Sequence, residues 1–158
     1  MRVLIVYDSF FGNTERIAQA IGSALGGAPE VEVQRVTEVA PEQLNGLDWL
    51  IVGSPTRAFR PSENTQKLLA SVPAGSLAGV KAAAFDTRIP ESKMPGFLRF
   101  IVKRTGYADQ KIASALARKG AQLVAQPGQF YVLASEGPLQ DGELERAFEW
   151  ARGLKIQR

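Results

Sequence analysis

Five short apolar runs punctuate the chain, at residues 2 to 7, 31 to 36, 48 to 53, 80 to 86 and 130 to 134, with 122 to 125 a further extended piece. Their length and β-branched content predict strands. Between them the apolar positions switch to a spacing of three and four. From Thr14 a helix of about 14 residues is expected, with Ile17, Ile21 and Leu25 on one face and Gly26-Gly27 as its stop. A second helix is predicted from near Ser62 with Leu68, Leu69 and Val72. A third runs over 108 to 119 with Ile112 and Leu116, and a fourth over 141 to 154 with Leu144, Phe148 and Ala151 on the buried stripe. Strands alternating with helices predict an α/β domain, a parallel sheet covered by helices on both faces. The turn signal Gln126-Pro127-Gly128-Gln129 leaves open whether the last strand is one bent piece or two.

With 158 residues, 45% of them hydrophobic, the chain is expected to form a single domain over 1–158. Cysteine and histidine are both absent. Disulfides, thiolate nucleophiles, imidazole bases, Ser-His-Asp hydrolysis and nearly all transition-metal chemistry are thereby excluded. Chemistry must come from a bound organic cofactor or from carboxylates, lysines and arginines. No catalytic residue and no metal are predicted. A net charge of +3 fits an ordinary mixed surface and gives no indication of a nucleic-acid partner. The first apolar run stops at Asp8, and no stretch approaches the roughly 20 apolar residues of a membrane span, so a soluble, cytoplasmic protein without stable membrane insertion is expected.

The first strand runs into Ser9-Phe10-Phe11-Gly12-Asn13-Thr14 and then into the first helix. Such a junction suits a phosphate. Hydroxyl and amide side chains stand in the loop, Gly12 permits close backbone approach, and the helix start offers unpaired N–H groups at the positive end of its dipole. The plain alternative is a connection with Asn13 or Thr14 as N-cap. Gly53-Ser54-Pro55-Thr56 reads as a turn after the third strand, either ordinary or ligand-lining. Arg57, Arg60 and Arg88 are candidates to balance an anion, or are simply solvated. Asp8 reads as a loop hydrogen-bonding residue.

At these positions the chain resembles the flavodoxin family, in the Gly12-Asn13-Thr14 loop and in the Gly53-Ser54-Pro55-Thr56 turn. The resemblance implies a flavodoxin-like doubly wound three-layer sandwich, its five-stranded parallel sheet ordered 2-1-3-4-5. The ligand would lie beyond the carboxyl ends of the strands, between the first and third, by a rule for which flavodoxin is itself a standing example. The implied cofactor is flavin mononucleotide (FMN). Ser9, Phe10, Phe11, Gly12, Asn13 and Thr14 would surround its phosphate; Pro55, Thr56, Arg57, Ala58 and Phe59 would border the isoalloxazine; Asp86, Thr87 and Arg88 would close the opposite side. Phe11 replaces a hydroxyl common in the family. The third loop has no Trp or Tyr, leaving Phe59, Phe10 or Phe97 to stack on the ring, and family members are typically acidic, unlike this chain.

The function implied is electron transfer between redox partner proteins, a reductase and an acceptor. An enzyme reading stands beside it, an FMN-dependent NAD(P)H:quinone-type oxidoreductase acting on a small quinone, since Pro55-Thr56-Arg57 resembles a turn in those enzymes. A third is a flavin-free module binding a protein or anionic partner. A phospho-receiver domain shares the topology, but no acceptor Asp ends the third strand at Gly53-Ser54. Residues 88 to 104 are longer than a connection requires. They are expected to form either a lid, with Phe97, Leu98, Ile101 and Val102 packing over the pocket or against another subunit in a homodimer, or a short extra helix with its apolar face covered. Lys93, Arg99, Lys103 and Arg104 give that segment a basic rim.

Overall fold

The computed structural model describes residues 1–26 and 30–156. Strands β1 (Arg2–Tyr7), β2 (Glu30–Arg35), β3 (Trp49–Pro55), β4 (Lys81–Arg88), β5 (Gln122–Leu123) and β6 (Gly128–Tyr131) alternate with helices α1 (Asn13–Ala24), α2 (Glu63–Ser71), α3 (Gly96–Thr105), α4 (Ala108–Arg118) and α5 (Glu143–Gly153). The sheet is parallel in the order β2-β1-β3-β4-β5. In register, Ile5 lies beside Ile51, and Ile51 beside Ala83.

A two-residue period sorts the strand side chains between two cores. Val3, Ile5, Trp49, Ile51, Ala83 and Phe85 face Ile17, Ala18 and Ile21 of α1 and Ala147 and Ala151 of α5. Leu4, Val6, Leu50, Val52, Ala82 and Ala84 face Leu69 of α2 and Ile112 and Leu116 of α4. Neither face of the central strands meets water, which is why β1 reads as an unbroken apolar run.

The fifth position of the sheet holds two pieces. β5 pairs with Lys81–Ala82, and β6 pairs with Phe85–Arg88 further along the same strand. Pro127, which has no N–H to donate to a ladder, stands in the gap. Phe85 of β4, Phe130 of β6 and Trp150 of α5 meet edge to face at centroid separations of 6.1 to 6.3 Å, fixing β6 under α5. This geometry suits the quadrupoles of their rings.

Several boundaries differ from expectation. β3 continues to Pro55 and β4 to Arg88, because Asp86 and Thr87 pair with Ser54 and Pro55 and Arg88 pairs with Tyr131. Thus Ser54, Pro55, Thr87 and Arg88 are strand residues, beyond the expected strand ends at Gly53 and Asp86. α1 ends at Ala24, and Gly27 of its anticipated stop lies outside the described residues. On α5 the buried stripe is Glu143, Ala147 and Ala151, and Phe148 is 37% exposed. Small alanines bring α5 close to α1, so the helix is rotated away from the phenylalanine that hydropathy favoured. The 88–104 segment forms a 3-10 turn at 91–93 and then α3, of which only Val102 is buried.

Candidate functional site

Loop 8–12 leaves β1 with its own hydrogen-bond frame. Asp8 N–H donates to Gly53 O at 3.1 Å, Ser9 N–H to Asp8 Oδ1 at 2.9 Å, and Gly12 N–H to Ser9 Oγ at 3.0 Å. Arg35, at the end of β2, clamps the loop from outside: its Nη1 donates to Ser9 O at 2.8 Å, and its Nη2 lies 3.1 Å from Glu15 Oε2. Gly12 then caps α1 with φ +89°, and no side chain closes the cap. Asn13 and Thr14 do not serve as N-caps. Asn13 Nδ2 donates to Glu136 O at 3.1 Å, and the Thr14 hydroxyl meets that of Thr87 at 2.7 Å. The backbone N–H groups of Phe10, Phe11, Asn13, Thr14 and Glu15 have no hydrogen-bond partner among the described residues. Five donors at the positive end of a twelve-residue helix are what an anion requires.

The second loop is a two-residue turn. Arg57 and Arg60 exchange backbone hydrogen bonds of 2.8 and 2.9 Å across Ala58 and Phe59, which take φ +48° and +62°. Left-handed backbone without glycine is strained by about 1–2 kcal/mol per residue. Lys111 of α4 supports the turn, its Nζ donating to Phe59 O at 2.6 Å. Burial, then the nearby Arg60 charge, lowers the Lys111 pKa.

Beneath the turn lies a buried ionic cluster. Arg88 Nε and Nη2 donate to the Asp86 carboxylate at 2.9 and 2.7 Å, and Nη2 also lies 2.8 Å from Asp109 Oδ1 in the first turn of α4. Thr56 Oγ1 donates to Asp86 Oδ2 at 2.9 Å, and Gln129 Nε2 donates to Asp109 Oδ2 at 3.1 Å. The Tyr107 ring stacks on the guanidinium, 3.5 Å from its carbon. Burial pushes the Asp86 carboxyl up to about 6, with Arg88 pulling the other way. Burial likewise pushes the Tyr107 hydroxyl up to about 12, aided by Glu91. Desolvation opposes the charge of Arg88, but Asp86 and Asp109 outweigh it and raise its pKa.

Around these loops opens a cleft of about 300 Å³, the lower end of the range for ligand pockets. Of the fourteen residues singled out from the sequence, Ser9, Phe10, Phe11, Asn13, Thr14, Pro55, Thr56, Arg57, Ala58, Thr87 and Arg88 line it. Gly12, Phe59 and Asp86 do not. Gly12 acts through its backbone, Phe59 is carried off the cleft wall by the turn, and Asp86 is committed to Arg88. Phe97 stands on α3, away from the cleft, so its aromatic lining is Phe10 and Phe11, with the Arg57 guanidinium 4.9 and 5.8 Å from their ring centres.

Sequence reasoning missed Ile89, Val132 and Ser135 in the lining, and Arg35 behind the loop. Val132 and Ser135 belong to a fourth converging loop, which follows β6. The switch-point rule contained that signal, since every loop beyond a strand's carboxyl end is a candidate. Arg35 carried no signal, because only the β1–β2 pairing brings it there.

No family model matches the sequence. A curated flavodoxin from Picosynechococcus sp. is 53% identical to this chain over 55 residues, 35% of this chain. The match spans about a third of that relative's length, 32%. Among solved structures, oxidised flavodoxin 1 from Bacillus cereus superposes with a TM-score of 0.79 at 20% identity, covering 100% of both chains. Oxidised flavodoxin 2 from the same organism gives 0.77 at 24% identity over 98% of each. The rubredoxin oxygen:oxidoreductase of Desulfovibrio gigas gives 0.67 at 19% identity, over 98% of this chain and 36% of that one. The fold shared with these proteins is the doubly wound sandwich in strand order 2-1-3-4-5.

Proposed function

We propose that this chain, a member of the flavodoxin family, binds FMN in the cleft between the β1 and β3 loops and works as a cytoplasmic electron carrier. One observation carries the reading: among the described residues, five backbone N–H groups stand without partners around the left-handed Gly12 cap of α1. A phosphate monoester fits that donor set. Backbone supplies most of the grip, because the Asn13 amide and the Thr14 hydroxyl already have partners in the chain. Ser9 Oγ accepts from Gly12 and keeps its own proton to donate to the phosphate.

Pro55, Thr56, Arg57 and Ala58 would border the ring on one side, and Thr87, Arg88, Ile89 and Val132 on the other, with Phe10 and Phe11 at the mouth. When bound, FMN supplies one- and two-electron redox chemistry that no side chain of this protein offers. The chain's own part is to hold the phosphate, keep water from the ring with Ile89 and Val132, and set the charge around it. Arg88 brings less than a full positive charge to the cleft, because two buried carboxylates share it. The single domain 1–158 would exchange electrons with protein redox partners.

Titration of the apoprotein with FMN and with riboflavin, followed by flavin fluorescence, tests this. Quenching of FMN, with riboflavin held at least tenfold more weakly, is expected for charge-assisted hydrogen bonds to a phosphate. Equal affinities would remove the phosphate cradle. No quenching of either would remove the flavin altogether.

A further inference from the structure

α3 displays an apolar face to solvent. Phe97 is 68% exposed, Phe100 60% and Ile101 37%, three residues at helical spacing on an element of ten. Patches of this kind on soluble proteins mark interaction surfaces. The same element carries Arg99, Lys103 and Arg104, with Lys93 just before it, and the Arg104 guanidinium lies 5.7 Å from the Phe100 ring centre.

This charge extends around the cleft. Across the loops that follow β1, β3, β4 and β6, the exposed charged residues are Arg57, Arg60, Lys93, Arg99, Lys103 and Arg104 against Glu91, Glu136 and Asp141. Their balance is +3, six cations against three anions gathered at one end of the sheet. A second hollow, of about 490 Å³, runs between α3 and the cleft, with Val102 and Lys103 on one wall and Arg88 and Tyr107 on the other. Arg88 lines the cleft too, so this hollow joins the cleft to the Val102–Lys103 side of α3, and Phe97 and Phe100 stand on the other side of the same helix.

We infer that the exposed Phe97–Phe100 face of α3 and its ring of arginines and lysines form the docking surface for an acidic redox protein, which exchanges electrons with the cleft alongside. This rests on the FMN reading for the electron transfer, but not for the docking. Charge complementarity selects the occupant. A negatively charged partner is steered to a cationic rim, and its apolar centre then covers the phenylalanines. A lipid surface suits the site less, because the basic rim is spread over two separate segments, one after β3 and one after β4, and is not confined to one helix.

The test uses the FMN-loaded protein, reduced with dithionite and mixed in a stopped-flow instrument with acidic cytochrome b5 or basic cytochrome c. Raising ionic strength from about 20 to about 200 mM is expected to slow the acidic acceptor by about tenfold and not to slow the basic one. The double variant Arg99→Glu/Lys103→Glu is expected to abolish or invert that salt dependence. Phe97→Ser/Phe100→Ser is expected to slow the acidic acceptor with FMN affinity unchanged, because neither ring lines the cleft. A rate indifferent to salt, or variants that behave as the parent, would overturn the proposal. So would cosedimentation with phosphatidylserine vesicles that cytochrome b5 fails to compete away. Should the protein hold no flavin, the cofactor reading fails alone. Docking is then measured by calorimetry with cytochrome b5, where binding weakened by salt supports the surface and no binding overturns it.

Discussion

The hydroxyls of Thr14 and Thr87 lie 2.7 Å apart, joining the first turn of α1 to the end of β4 across 73 residues of sequence. Both side chains are buried, and together they tie the proposed phosphate loop to the far wall of the cleft. Thr87→Val keeps the shape and strands the Thr14 hydroxyl. A loss of about 1–3 kcal/mol in urea unfolding is expected. The double variant Thr14→Val/Thr87→Val should recover part of that loss, since no buried hydroxyl is then left alone. If the double variant loses as much as the two single variants summed, the hydrogen bond is not what links these residues.

Gly12 has open space where a Cβ would stand, so its requirement is conformational: φ +89° is unfavourable for any other residue. Gly12→Ala is expected to destabilise the fold by about 1 kcal/mol. It should also weaken FMN binding out of proportion, because the neighbouring amides turn with the cap. Calorimetric FMN titration beside thermal melting separates the two effects, and unchanged affinity in a destabilised variant would count against the amide cradle.

In the second loop the strain points the opposite way. Ala58 at φ +48° borders the cleft, and Ala58→Gly removes the left-handed penalty at the cost of a more flexible unfolded chain. A net gain of about 0.5–1 kcal/mol in urea unfolding is expected. A loss would show that the methyl group contributes packing worth more than the strain.

Arg88 is the shared cation of Asp86 and Asp109, both fully buried. Arg88→Met leaves two carboxylates unpaired in the interior and is expected to destabilise by about 3–5 kcal/mol. Arg88→Lys, which keeps the charge but not the fork, should fall between. Chemical denaturation of the three proteins side by side makes the check, and a Met variant as stable as the parent would contradict the cluster.

Asp86 also makes stability depend on pH. Burial holds its carboxyl at about 6, against an unfolded value of 3.8. Between these values the native state binds more protons than the unfolded one, so the contribution of this group is full below about pH 4 and is lost as pH rises through about 6. Asp86→Asn carries no such proton. The stability of the parent relative to that variant should therefore fall from about pH 4 to about pH 6 in denaturation curves, and a carbon-13 titration of the Asp86 carboxyl should centre near 6. A relative stability that rises over the same interval would reverse the assignment.

The amino-acid sequence alone determined the alternation of strand and helix, the strand order implied by its family resemblance, and the loop of Gly12 on which the proposed site is built. Those features are local: a two-residue period, a 3.6-residue period and a glycine between a strand and a helix are all written in consecutive residues. Only the tertiary structure decided that Asp86 turns inward to Arg88 while Thr87 faces the cleft, that Phe10 and Phe11 supply its aromatic lining in place of Phe59, and that α3 leaves Phe97 and Phe100 in water. Each depends on partners far away in sequence, Asp109 for the ion cluster, Lys111 for the turn and Tyr131 for the length of β4. A pattern of neighbours along the chain says which face of an element is apolar. What meets that face is settled when the sheet brings distant strands and helices together.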